Sequence, residues 1–138
     1  MKGNKLPTWL AIKQSGIPGA GLGIFTQVDI KKGMRIGEYT GRHLTPKQYE
    51  QTGDHVYAWE LKEKNVPVLY IDGRHPKYAN WTRFVNCPRS RVEENVAPMQ
   101  IDLRMYYYAK RRIQAGEELL IWYGSTYGKW LLGKTRLD

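Results

Sequence analysis

A mainly β fold with few short helices is what the sequence predicts, and three observations predict it. Segments of strand length recur between Gly, Pro and Asp residues, only one clear helix start is present, and helical stretches do not alternate with strands as a parallel α/β protein requires. The 138 residues fit one domain, expected over residues 1–138, with an ordinary balance of 41% hydrophobic and 25% charged residues. A chain of this length buries roughly two-thirds of its unfolded surface, so its core needs no disulfide or metal staple.

Taken in order, strands are expected over Trp9–Lys13, Gly23–Thr26 and Arg35–Thr40. A short helix should then start at Thr45-Pro46-Lys47-Gln48, which supplies an N-cap Thr, Pro at the first helical position and Gln three residues after the cap. Further strands follow over His55–Leu61 and Val68–Asp72, and a short turn over Lys77–Phe84. Arg104–Ala109 reads as a strand with one buried face, because Tyr106 and Tyr108 alternate with Tyr107. Glu118–Tyr123 completes the set.

Composition excludes several classes of function. No run approaches the ~18 apolar residues of a membrane span, and the N-terminus lacks a signal-peptide core, so an intracellular protein without a membrane partner is expected. One cysteine, Cys87, permits neither an internal disulfide nor a Cys-cluster zinc site, and His43, His55 and His75 have no metal-ligand spacing. The net charge of +9 invites nucleic acid as a partner. Against that, the basic excess is spread over both halves, and its densest cluster is only Lys110-Arg111-Arg112. Ten Tyr and five Trp against two Phe supply rings with polar tips, suited to a pocket that is both apolar and hydrogen-bonding.

Three motif matches fail on context. Gly128–Thr135 fits the P-loop expression, but only three residues remain to form the helix that must follow it. Gly19-Ala-Gly21-Leu-Gly23 falls one residue short of a dinucleotide fingerprint and leads into a strand, not a helix. Asn80-Trp81-Thr82 is a glycosylation sequon without a secretory signal.

Four separated pieces remain: Gly19-Ala-Gly-Leu-Gly-Ile-Phe25, Gly37-Glu-Tyr39-Thr-Gly41, Arg83-Phe-Val-Asn86-Cys87 and Gly116-Glu-Glu-Leu-Leu-Ile-Trp-Tyr123-Gly124. Their order and spacing resemble the SET-domain protein lysine methyltransferases, from about Ile12 to about Tyr127. Asn80–Cys87, Glu93-Glu94-Asn95 and Leu120-Ile-Trp-Tyr-Gly resemble the PR subfamily in particular. The resemblance implies a fold of small sheets with a threaded, pseudoknot-like C-terminal segment. It also implies S-adenosyl-L-methionine as methyl donor, a protein substrate with a histone tail foremost, and a nuclear location.

These residue types suit methyl transfer to an amine. The reacting lysine must be neutral, yet its ordinary pKa near 10.4 makes deprotonation at pH 7.4 cost ~4 kcal/mol. Aromatic walls beside a sulfonium lower that cost by desolvation and like-charge repulsion, so no strong general base is obligatory. What remains is alignment, to which tyrosine hydroxyls contribute as weak acceptors for the polarised methyl group.

By the resemblance, Tyr123 is the catalytic tyrosine. Gly21, Leu22 and Gly23 form the loop whose backbone approaches the donor, and Tyr57, Asn86 and Cys87 lie beside it, Cys87 standing where many relatives have His. Tyr39 is a candidate wall of the lysine channel. Ile121, two before the tyrosine, occupies a position where Tyr goes with one added methyl and an apolar residue with more. Each has a plainer reading as well: Tyr39, Tyr57, Tyr123 and Ile121 as core, Gly21–Gly23 as a turn and Cys87 as a small buried hydrophobe. The family's zinc-binding flank and the subfamily's zinc fingers find no match, and no metal is expected. The alternative function is a PR domain that no longer catalyses and serves as an interaction module of a transcription regulator.

Overall fold

The computed structural model describes residues 5–52 and 57–122. Eight strands and a single α-helical turn make up most of it: β1 Leu10–Gln14, β2 Leu22–Thr26, β3 Arg35–Tyr39, β4 Arg42–Leu44, α1 Pro46–Glu50, β5 Ala58–Glu63, β6 Val66–Asp72, β7 Val96–Ile101 and β8 Arg104–Ala109. Two 3₁₀ turns, Trp81–Phe84 and Arg91–Glu93, lie between β6 and β7. The strands form three small antiparallel sheets, β1-β2, β3-β8-β7 and β4-β6-β5. The mainly β expectation is met.

Local chemistry accounts for the turns. Lys64 and Asn65 both take positive φ (49° and 65°), the conformation of a two-residue hairpin whose twist matches β5 and β6. At α1, Thr45 accepts from the Gln48 amide while the Gln48 side chain accepts from the Thr45 amide, so the capping box is complete. Tyr49 stacks on Tyr70 at 3.7 Å between ring centres, and this packs the short helix against β6. The second turn is shorter than expected, Trp81–Phe84 instead of Lys77–Phe84, because Asn80 caps it by accepting from Thr82 N. That capping buries the sequon: Asn80, Trp81 and Thr82 are 8%, 8% and 0% exposed.

Three sequence expectations are corrected. β4 and β7 were not anticipated: β4 has three residues, and Pro98 within β7 lowers its strand character. Nor is 118–122 a laddered strand. It makes single bridges, antiparallel with Phe25 and parallel with Asn86 and Val96, because its neighbour changes almost residue by residue. Leu119 N donates to Ile24 O (2.8 Å), Ile121 N to Asn86 O (2.9 Å), and the Asn95 and Val96 amides both donate to Leu120 O (3.0 Å each). The Asn95 side chain completes the seam, donating to Glu118 O and accepting from Leu120 N, each at 2.8 Å. An asparagine thus replaces a stretch of missing sheet backbone.

The core gathers around this threaded segment. Leu119 and Ile121 (0% exposed) pack with Ile24, Val85, Val96 and Tyr107. The outer sheets are joined by Gln100 of β7, whose side chain accepts from Lys62 N (2.9 Å) and donates to Lys62 O (2.8 Å) of β5.

Candidate active site

The loop between β1 and β2 carries the glycines singled out above. Gly19 and Gly21 have φ of 78° and 77°, which only glycine adopts cheaply, and Ser15 N closes the loop on Gly21 O at 2.7 Å. Leu22 is exposed and Gly23 is buried. A Cβ at Gly23 would overlap the Glu118 carboxylate as it is placed, so glycine permits that close approach.

The 3₁₀ turn over Trp81–Phe84 delivers Asn86 to this loop. Asn86 is 1% exposed, and its Nδ2 donates to Leu22 O (2.9 Å) and to Glu118 Oε2 (3.3 Å). Its Oδ1 is buried without a hydrogen-bond partner. Leaving such an acceptor unpaired costs about 1–3 kcal/mol, so a hydrogen-bond donor from a ligand or a water is favoured there. Cys87, 8% exposed, directs its thiol to Pro88 O (3.5 Å), which is the behaviour of a small buried hydrophobe. Gly21–Gly23 and Asn86 are therefore brought together.

Tyr57 and Tyr39 stand together, with Arg83 of the same turn against Tyr57. The Tyr39 hydroxyl donates to Tyr57 O, which also accepts from Gly73 N at 3.0 Å. Arg83 lies over the Tyr57 ring at 5.0 Å and donates through Nε to Gly73 O (2.7 Å). Tyr39 (2% exposed) belongs to an aromatic cluster, 5.6 Å from Tyr107 and 6.4 Å from Trp59 between ring centres. Trp59 Nε1 donates to the Tyr107 hydroxyl at 2.8 Å.

Trp59 opens onto a cleft of about 430 Å³ shared with Ala97, Pro98, Trp122, Glu94, Lys110 and Arg91. Glu94 Oε1 accepts from Lys110 Nζ and from Arg91 Nε (3.3 Å). Residues 118–122 thus run from the glycine loop, where Glu118 sits, to an aromatic cleft, where Trp122 sits. Ile121 between them is wholly buried in the core cluster. Tyr123 and the P-loop-like stretch lie outside the described residues, as does His55.

Sequence reasoning passed over Glu118, Ser15, Asn95, Trp59, Tyr107 and Trp122. Glu118, Trp122 and Asn95 fall inside quoted motifs, and for Glu118 a carboxylate opening an apolar run was the available signal. The others emerge only from contacts. Among the described residues no cluster of three or more His, Cys, Asp or Glu could hold a metal, and no helix is long and apolar enough to cross a membrane.

Small sheets around a threaded segment, with a glycine loop and a buried asparagine at its side, place the fold in the SET-like methyltransferase-domain class. The methyltransferase domain of human PR domain-containing protein 2 superposes with a TM-score of 0.74 at 32% identity, covering 87% of this chain and 80% of that one. The SET domain of the RIZ1 tumor suppressor (PRDM2) gives 0.69 at 32% identity over 88% of this chain and 72% of the other. The family model described as PR domain zinc finger protein 2, PR domain, matches residues 10–134, and the chain belongs to the PR-domain family. Histone-lysine N-methyltransferase set-17 of Caenorhabditis elegans is 38% identical over 124 residues, 89% of this chain and 43% of its own length. Histone-lysine N-methyltransferase PRDM7 of Homo sapiens is 37% identical over 127 residues, 91% of this chain and 25% of its own. The chain thus spans less than half the length of these relatives.

Proposed function

We propose that this domain is an S-adenosyl-L-methionine-dependent protein-lysine N-methyltransferase acting on a histone tail, and hence in the nucleus. The observation that carries the reading is the buried, unpartnered Oδ1 of Asn86 beside the backbone of Gly21–Gly23. S-adenosyl-L-methionine fits this site, since its ammonium and adenine amino groups are donors and its sulfonium supplies an electrophilic methyl when bound. Asn86, the Gly21-Leu22-Gly23 backbone, Tyr57 and the wall at Cys87 would hold it.

The chain's own residues then do three things. Asn86 Oδ1 accepts a ligand N–H and so orients the ligand. The rings of Tyr39, Tyr107 and Trp59 supply a low-dielectric wall that favours a neutral lysine over its ammonium. Tyr123 contributes a hydroxyl dipole at the reacting centre. The two relatives named histone-lysine N-methyltransferases support the substrate class.

Calorimetry with S-adenosyl-L-methionine, then incubation with labelled donor and a histone mixture and mass spectrometry of the products, tests this reading. Binding and a methylated lysine are expected. A folded protein that binds no donor would instead be the non-catalytic interaction module.

A further inference from the structure

We propose that Glu118 is a positioning residue for the donor site, its carboxylate fixing the orientation of the Asn86 amide. The inference rests on the reading that the donor binds at Asn86 and the glycine loop. Glu118 Oε2 accepts from Ser15 Oγ (2.7 Å) and Asn86 Nδ2 (3.3 Å), and Oε1 accepts from Gly16 N (2.9 Å). One side chain therefore ties the end of β1, the loop and Asn86 together, across 103 residues of sequence from Ser15.

Hydrogen-bond polarity gives the arrangement its consequence. A carboxylate offers only acceptors, so the end of the Asn86 amide that faces it must be the NH₂. The same NH₂ also donates to Leu22 O. A flipped amide would set its oxygen against two acceptors, so the flip is closed and Oδ1 is left to point away, buried and without a partner. The orientation is set before any ligand arrives, and ordering cost at binding falls accordingly.

Glu118 is itself held firmly. Its carbonyl accepts from Asn95 Nδ2, and Leu119 N donates to Ile24 O. The missing Cβ of Gly23 leaves room for the carboxylate. Ser15 Oγ also accepts from Ile17 N at 3.0 Å, so the contact extends into the turn.

Glu118→Gln keeps the shape and breaks the polarity, since one end of the new amide becomes a donor facing a donor. Donor affinity is expected to fall about tenfold or more, with a loss of no more than about 5 °C in melting temperature. In an Asn86→Ala background the same change should alter donor affinity less than about twofold, because the effect passes through the Asn86 amide. Equal losses in both backgrounds would overturn the proposal. In the wild type, side-chain amide protons of Asn86 should exchange slowly with solvent, and rapid exchange would overturn it even if Glu118→Gln fails to fold. Folded wild type that binds no donor sinks the donor-site reading itself, and this proposal with it. Donor binding accompanied by rapid Asn86 exchange, or by equal losses in both backgrounds, sinks the proposal alone.

Discussion

At the scale of single residues, burial and polarity decide what each group can do. On the proposed reading of Tyr123 as the catalytic tyrosine, Tyr123→Phe should keep the fold and donor affinity while lowering turnover by about tenfold or more, since a hydroxyl at the reacting centre is removed. Single-turnover kinetics check this, and near-normal turnover would take Tyr123 out of the catalytic role. Ile121 is 0% exposed within the core cluster, so a larger ring there must displace its neighbours. The wild type is expected to reach di- or trimethyl-lysine, and Ile121→Tyr to shift products toward monomethyl-lysine at a stability cost of about 1–3 kcal/mol. Mass spectrometry at long reaction times decides, and a wild type that halts at one methyl defeats the prediction. Tyr70 gives a pH-dependent case: burial first, then the hydrogen bond it donates to Glu60 (2.9 Å), pushes its phenol up to about 12. The folded pKa lies above the ordinary value near 10, so this stabilisation is complete below about pH 10 and is lost as pH rises toward 12. Alkaline melting curves of Tyr70→Phe should show a shallower decline than the wild type over that window.

Among the elements, the threaded segment is the one whose neighbours are least regular. Asn95 replaces backbone on one flank, and it is itself 1% exposed. Asn95→Ala leaves a part-buried carbonyl at Glu118 and a part-buried amide at Leu120 without their partner, each worth about 1–3 kcal/mol. A loss of about 2–4 kcal/mol in urea unfolding is expected, with donor affinity of the folded fraction reduced as well, because Glu118 loses its anchor. A loss below about 1 kcal/mol would mean that water or a shift of 118–121 replaces the asparagine. Gln100 makes a similar pair of bonds to Lys62, yet it lies near solvent and its loss should be mild.

For the whole molecule, charge and site are separable. The net charge of +9 supports diffuse attraction to polyanions, which weakens steeply with salt through counterion release. The Asn86 site is buried and its polar bonds are short-ranged. Between 50 and 300 mM salt, DNA association should collapse while donor affinity changes less than about threefold, because screening acts on exposed charges. Gel-shift titrations beside calorimetry compare the two, and a donor affinity that falls in parallel with DNA binding would place the donor on the basic surface instead.

By itself the sequence determined the fold class, the helix start at Thr45 and the one-faced strand at Arg104–Ala109, because periodicity, capping and turn chemistry act within a few residues. The glycine loop and Asn86 were singled out as well, through the resemblance that four separated motifs carry together. Tertiary structure alone decided that Glu118 meets Ser15, Gly16 and Asn86, and that Asn95 completes the seam. It alone decided that Tyr39, Trp59 and Tyr107 share one cluster. Those contacts join residues tens of positions apart, and local preferences carry no term for which distant strands will meet. The irregular bridges at Glu118–Ile121 show the same limit: an apolar run reads as a strand, but only packing reveals that its partners change at nearly every residue.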